Sequence, residues 1–88
     1  MRLNLDRHQD ATTAAFEEVK RAVGNWPEFN SAHEGFAVLN EEFDELKRHV
    51  WTNQSKRDLA AMKSEAIQVA AMAIRFAAEV CDEERGRV

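Results

Sequence analysis

The chain has 88 residues, with 12 lysines and arginines against 16 aspartates and glutamates, for a formal net charge of -4. Domains commonly run to about 100–150 residues, so the length excludes a second domain, a barrel or a doubly wound sheet and points to one domain over residues 1–88. The acidic balance disfavours nucleic-acid binding through a broad basic face, and a lone cysteine, Cys81, excludes an internal disulfide and fits a reducing cytoplasm. The N-terminal MRLNLDRHQD has no apolar core and does not read as a signal peptide. No apolar run approaches the ~20 residues of a membrane span, so no membrane partner is expected. One proline, three glycines and abundant Ala, Leu, Glu, Lys and Arg favour helices.

The first helix is predicted from Arg7 or Asp10 to Val23, with Leu5, Thr12, Phe16, Val19 and Val23 on one side. Gly24 reads as its C-terminal stop. Asn25 to Asn30 is a loop in which Pro27 pushes Trp26 out of the helical region, and Trp26 and Phe29 are expected to plug the end of a bundle. The second helix starts at a capping box, with Ser31 as N-cap and Glu34 at the third position, and runs to about Trp51. Ala32, Phe36, Leu39, Phe43, Leu46 and Val50 form its apolar stripe, in steps that a 3.6-residue period requires. The third helix starts near Ser55 and runs through Val80. Between Ala66 and Val80 it is apolar around most of its circumference, which predicts burial on most sides. Two helices from the same chain leave part of it uncovered, so the fold expected is an all-α bundle of about three helices per chain, completed by oligomerisation. A homodimer or homotetramer in which this helix meets its symmetry mate would supply the cover. Residues 82–88 form a charged tail expected to fray.

The carboxylates carry the chemistry. On a wheel of about 100° per residue, Glu34, Glu41 and Glu45 lie together, with Glu42 between them and the apolar stripe. Glu42 and Glu45 are three residues apart, so their carboxylates can converge on one point; a solvated acidic face is the alternative. Glu65 sits inside the apolar face of the third helix, with Val69, Met72 and Phe76 following at helical spacing. An unpaired buried carboxylate costs several kcal/mol or forces a raised pKa, so Glu65 needs a partner, unless it lies in the exposed first turns and points out. Arg75 from a neighbouring helix is one partner; a metal ion is another. Carboxylates projected from two helices toward each other make the metal sites of helical bundles. Hard oxygen ligands suit Mg2+ or Mn2+, and an Mg2+ that keeps several waters suits a polyphosphate substrate.

Glu41-Glu42-Phe43-Asp44-Glu45-Leu46 resembles the EExxEL segment of the MazG-like, all-α nucleoside triphosphate pyrophosphohydrolases, a superfamily that includes dimeric dUTPases and phosphoribosyl-ATP pyrophosphohydrolases. Their pattern is ExxE on one helix and ExxD on the next. Glu42 to Glu45 matches the first half, and Glu65-Ala66-Ile67-Gln68 falls where the second belongs. The segments Trp26 to Phe36 and Lys63 to Ala73 resemble a small phage- and bacterium-associated branch of that superfamily. The resemblance covers the chain from about Trp26 to Val80. It implies hydrolysis of a (d)NTP to the monophosphate and pyrophosphate, with Glu42, Glu45, Glu65 and Gln68 around Mg2+ and Glu41 as the base; Lys63 and Arg75 are the candidate cations toward the phosphates, although a salt bridge to Glu79 or a partner helix is the first expectation for Arg75. Gln68 departs from the family's aspartate: an amide oxygen binds Mg2+ without bringing a charge.

Three readings follow: a metal-dependent pyrophosphohydrolase, a degenerate relative that binds metal or nucleotide without turnover, and an all-helical interaction module. His49, four residues after Glu45, is a possible neighbour of the ligands, and His33, Trp51 and Cys81 have ordinary surface or packing readings.

Overall fold

The computed structural model describes residues 3–88; Met1 and Arg2, at the start of the expected domain, lie outside the described residues. Three helices account for most of the chain: α1 over Asp6–Asn25, α2 over Ala32–Val50 and α3 over Leu59–Arg75. A 3-10 turn over Gln54–Lys56 precedes α3, and a π-helical turn over Phe76–Val80 extends it. The all-α, three-helix reading therefore holds, and no helix among the described residues is long and apolar enough to cross a membrane.

The boundaries follow from local chemistry, with two departures from expectation. α1 does not stop at Gly24. It runs on to Asn25, and Trp26 still donates its N–H to Ala22 O at 2.8 Å. Pro27 rather than Gly24 ends it, by forcing Trp26 into an extended conformation (φ -132°, ψ 145°). α2 begins as predicted: Ser31 Oγ accepts the Glu34 N–H at 3.0 Å. The reciprocal half of the capping box is displaced by one residue, because the Glu34 carboxylate accepts from the backbone N–H and side-chain amide of Asn30 at 3.2 and 2.9 Å.

α3 begins four residues later than Ser55. The Ser55 hydroxyl donates to Asn53 Oδ1 at 3.0 Å inside the 3-10 turn, so it is not free to cap. Asp58 caps instead, accepting the Ala61 N–H at 3.0 Å.

α3 packs against both α1 and α2. α2 and α3 form an antiparallel hairpin. At its loop end Arg57 Nη2 donates to the Val50 carbonyl at 2.7 Å, and at its open end Gly35 lies against Phe76. A Cβ on Gly35 would sit 2.9 Å from Phe76 and 3.0 Å from Phe29, so only glycine allows this approach. The core is small: Ala22, Phe29, Ala71 and Met72, with Val19, Val38, Leu39 and Val80 packed around them.

The apolar stripes expected from the sequence face the wrong way in part. α1 buries Ala15 and Ala22, whereas Phe16 and Val23 are more than half exposed. Small residues let α1 approach α3 closely, which turns the larger ones outward. On α2, Gly35 is buried and Val38 and Leu39 pack on the core, while Phe36 and Phe43 stay largely exposed. Phe29 plugs the bundle end, but Trp26 does not; it stays open to solvent.

Beneath the linker between α1 and α2, Arg75 is buried and bonded to Glu79 through Nε and Nη2 at 2.7 and 3.0 Å. Arg75 Nη2 also donates to the Pro27 carbonyl at 3.0 Å, and the guanidinium lies 4.3 Å from the centre of the Phe29 ring. After Val80, the tail that was expected to fray turns at Asp82–Arg85. There Arg85 donates to the Glu79 carbonyl at 2.8 Å and pairs with Glu28 at 3.4 Å.

Candidate metal centre

α2 and α3 bring together the three carboxylates singled out in the sequence. One carboxylate oxygen from each of Glu42, Glu45 and Glu65 lies within 4.8 Å of the other two. Glu42 and Glu45 are neighbours because they are three residues apart on one helix face. Glu65 meets them because the hairpin sets the middle of α3 against the middle of α2. All three are half-buried.

The electrostatics are those of a site short of positive charge. Burial pushes the Glu65 carboxyl above the ordinary carboxylate range, and the hydrogen bond and charge of Glu45 push it further, with His49 opposing. Burial likewise raises Glu42, followed by the charges of Glu45, Glu65, Glu41 and Glu18. Glu65 Oε2 is buried and has no hydrogen-bond partner. An orphaned buried carboxylate oxygen costs several kcal/mol. A divalent cation at about 2.1–2.6 Å from each oxygen would offset that cost, and three hard oxygens are the donor type that Mg2+ and Mn2+ take. Glu65 does not pair with Arg75, which is committed to Glu79.

Beside the three carboxylates lies a cleft of about 590 Å3 between α1, the linker, α2 and α3. Its walls include Glu18, Arg21, Trp26, Glu41, Glu42 and Gln68, with Arg75 at its floor. Glu41, the sequence candidate for a base, is exposed and lines this cleft rather than joining the three-carboxylate group. Gln68 is half-buried in the same cleft, and its amide lies against Glu18. Lys63 is exposed and does not line the cleft. Arg75 lines it, with two of its guanidinium nitrogens held by Glu79 and the Pro27 carbonyl.

Glu18 was not among the sequence candidates. Its side chain is mostly buried, and it pairs with Arg21, whose Nε lies 3.0 Å from both carboxylate oxygens. The hydrogen bond from Arg21 holds the Glu18 carboxyl below the ordinary range against the effect of burial, and Gln68 adds to the lowering. The signal was present in the sequence: Glu18 lies three residues after Ala15 and four before Ala22, inside the small-residue face that α1 buries. It was hidden by taking Phe16 and Val23 as the core face.

The chain matches no protein-family model, no curated protein and no solved structure.

Proposed function

We propose that this protein binds a divalent cation, Mg2+ or Mn2+, through Glu42, Glu45 and Glu65, and with it the phosphates of a nucleoside triphosphate, without turnover. The observation that carries this reading is the trio of converging carboxylates in which one buried oxygen of Glu65 has no partner. A bound cation supplies the charge that lets a polyphosphate approach this acidic surface. Arg21, exposed at the cleft and held by Glu18 through Nε and Nη2, keeps Nη1 for phosphate oxygens in this reading, and Trp26 offers an open aromatic face at the same cleft. Gln68 argues for binding rather than hydrolysis: its amide brings no charge to the position where the MazG-like pattern has aspartate. The MazG-like likeness of residues 26 to 80 supports the nucleotide as ligand. In this reading the bundle is completed by further copies of the chain, as a homodimer or homotetramer.

The second reading, hydrolysis of a (d)NTP to (d)NMP and pyrophosphate, is favoured by Glu41, a carboxylate outside the trio that lines the same cleft beside Glu42. Calorimetric titration with Mn2+, then with a non-hydrolysable nucleoside triphosphate, tests the conclusion. Binding by the wild type, and its loss in Glu65→Gln, is the expected result. No heat from Mn2+ overturns the metal reading. Pyrophosphate release that Glu65→Gln abolishes replaces the binder with the hydrolase.

A further inference from the structure

The chain exposes more surface than a folded monomer of its mass. The accessible area is 6974 Å2, whereas a compact monomer of 10.1 kDa exposes about 5,300 Å2. The radius of gyration is 15.0 Å, against about 12 Å for a compact chain of this length. Among the described residues no large side chain is fully buried. The excess, about 1,700 Å2, exceeds the roughly 800 Å2 that each partner removes from water in an interface of standard size.

The uncovered apolar area has a pattern on α2. Phe36, Phe43 and Val50 are 60%, 54% and 40% exposed, and they follow one another at steps of seven residues, the spacing of a helix–helix seam. Trp51, 76% exposed, continues the row past the end of the helix. Around Val50 the row opens into an apolar groove of about 300 Å3 lined by Phe43, Leu46, Lys47, Val50 and Trp51.

We propose that this face of α2 is a two-fold self-association seam, and that its occupant is α2 of a second copy running antiparallel and crossing at Phe43. In that register Phe36 of each copy lies beside Val50 of the other, where the groove gives room for one aromatic side chain, so the same contact is made twice. Shape sets the direction: antiparallel packing sets the exposed Phe36 ring of one copy over the groove at Val50 of its mate, whereas parallel packing would set groove against groove. Glu45 lies about 200° around the helix from Phe43, away from the seam, and Glu42 lies about 100° from it, at the seam's flank. The expectation that α3 meets its own mate gives way here to α2, where the larger apolar side chains are exposed.

This inference rests on the reading that copies of the chain complete the bundle, and the experiment separates the two. Sedimentation of the whole protein is expected to give twice the chain mass or a multiple of it. Phe43→Glu is expected to halve that mass and to weaken self-association about 30-fold or more, with the helical circular dichroism retained because Phe43 is exposed in the single chain. Phe16→Glu, on the outer face of α1, is expected to leave the dimer intact. In a Cys81→Ala background, Phe43→Cys is expected to cross-link two copies on oxidation. A tetramer that Phe43→Glu splits into dimers supports the seam equally. A wild type that stays monomeric at high concentration overturns both the seam and the completed bundle. A dimer that survives Phe43→Glu, that Phe16→Glu dissociates, or that fails to cross-link through Phe43→Cys overturns the seam alone.

Discussion

Arg75 and Glu79, one helical turn apart, form a two-bond ion pair, and both partners also hold the linker that joins α1 to α2. Arg75 Nη2 donates to the Pro27 carbonyl, and Glu79 Oε1 accepts the Phe29 N–H at 2.9 Å. The pair therefore seats Phe29, the largest side chain of the core, from below. Removing one partner leaves the other charge buried and frees the linker. Arg75→Met or Glu79→Leu alone is expected to cost about 3–5 kcal/mol, and the double substitution to recover much of it. Urea unfolding of the four proteins measures this as a coupling energy.

The same pair sets the acid limb of stability. Burial alone would raise Glu79, but hydrogen bonds from Arg75 and Phe29, with the charges of Arg75 and Arg85, outweigh it and hold the carboxyl below the ordinary value. A carboxylate with a lowered folded pKa contributes stability above its unfolded pKa of about 4.3. That contribution is lost as the pH falls through the lower folded value. Glu42 and Glu65, raised first by burial and then by their neighbours' charge, work in the opposite sense. Their protonated forms are favoured in the folded state, so stability declines as the pH rises through their raised values. The metal-free protein is expected to melt highest in mildly acidic solution and to lose stability on either side. Melting curves across pH check this. Glu65→Gln should flatten the limb toward neutrality, and Glu79→Gln should remove the steep acid loss.

Glu65→Gln distinguishes a binding site from an ordinary acidic surface without any assay of turnover. In the absence of metal it removes a repelled carboxylate with one partnerless oxygen and is expected to raise the melting temperature by a few degrees. With Mn2+ at about 100 times its dissociation constant, the wild type is expected to gain about 2.7 kcal/mol; the variant is expected to gain almost nothing. An equal response of both proteins to Mn2+ would place the ion elsewhere.

Gly35→Ala tests the tightest approach in the hairpin. The added methyl meets the ring edges of Phe76 and Phe29 at 2.9–3.2 Å, closer than van der Waals contact. The rings must give way in an already small core. A loss of about 1–3 kcal/mol is expected in chemical denaturation.

What the sequence made legible was whatever depends on spacing along one helix. Glu42 and Glu45 converge because residues three apart share a face, and Ser31 caps because an N-cap hydroxyl reaches the amide three residues on. The meeting with Glu65 was anticipated from its place among apolar neighbours, since a carboxylate in such a row must answer to something. Choices between competing faces were less legible. Phe16 and Val23 outrank Ala15 and Ala22 in hydrophobicity, yet close helix approach selected the alanines, and that error concealed Glu18. Ser55 looked like a cap until Asn53 took its hydroxyl, a competition between two local hydrogen bonds that residue type alone does not decide.

The α2–α3 hairpin is fastened at its loop by Arg57 and at its open end by the Gly35–Phe76 contact, while three like charges crowd its middle. Such a molecule is locally frustrated in a sequence whose other local choices agree with the fold. Anyone optimising this chain for thermostability alone would replace Glu42, Glu45 or Glu65 first, and would do so without touching the core, the caps or the linker. The conflict is concentrated in three side chains, and a divalent cation bound among them, as proposed, would relieve it.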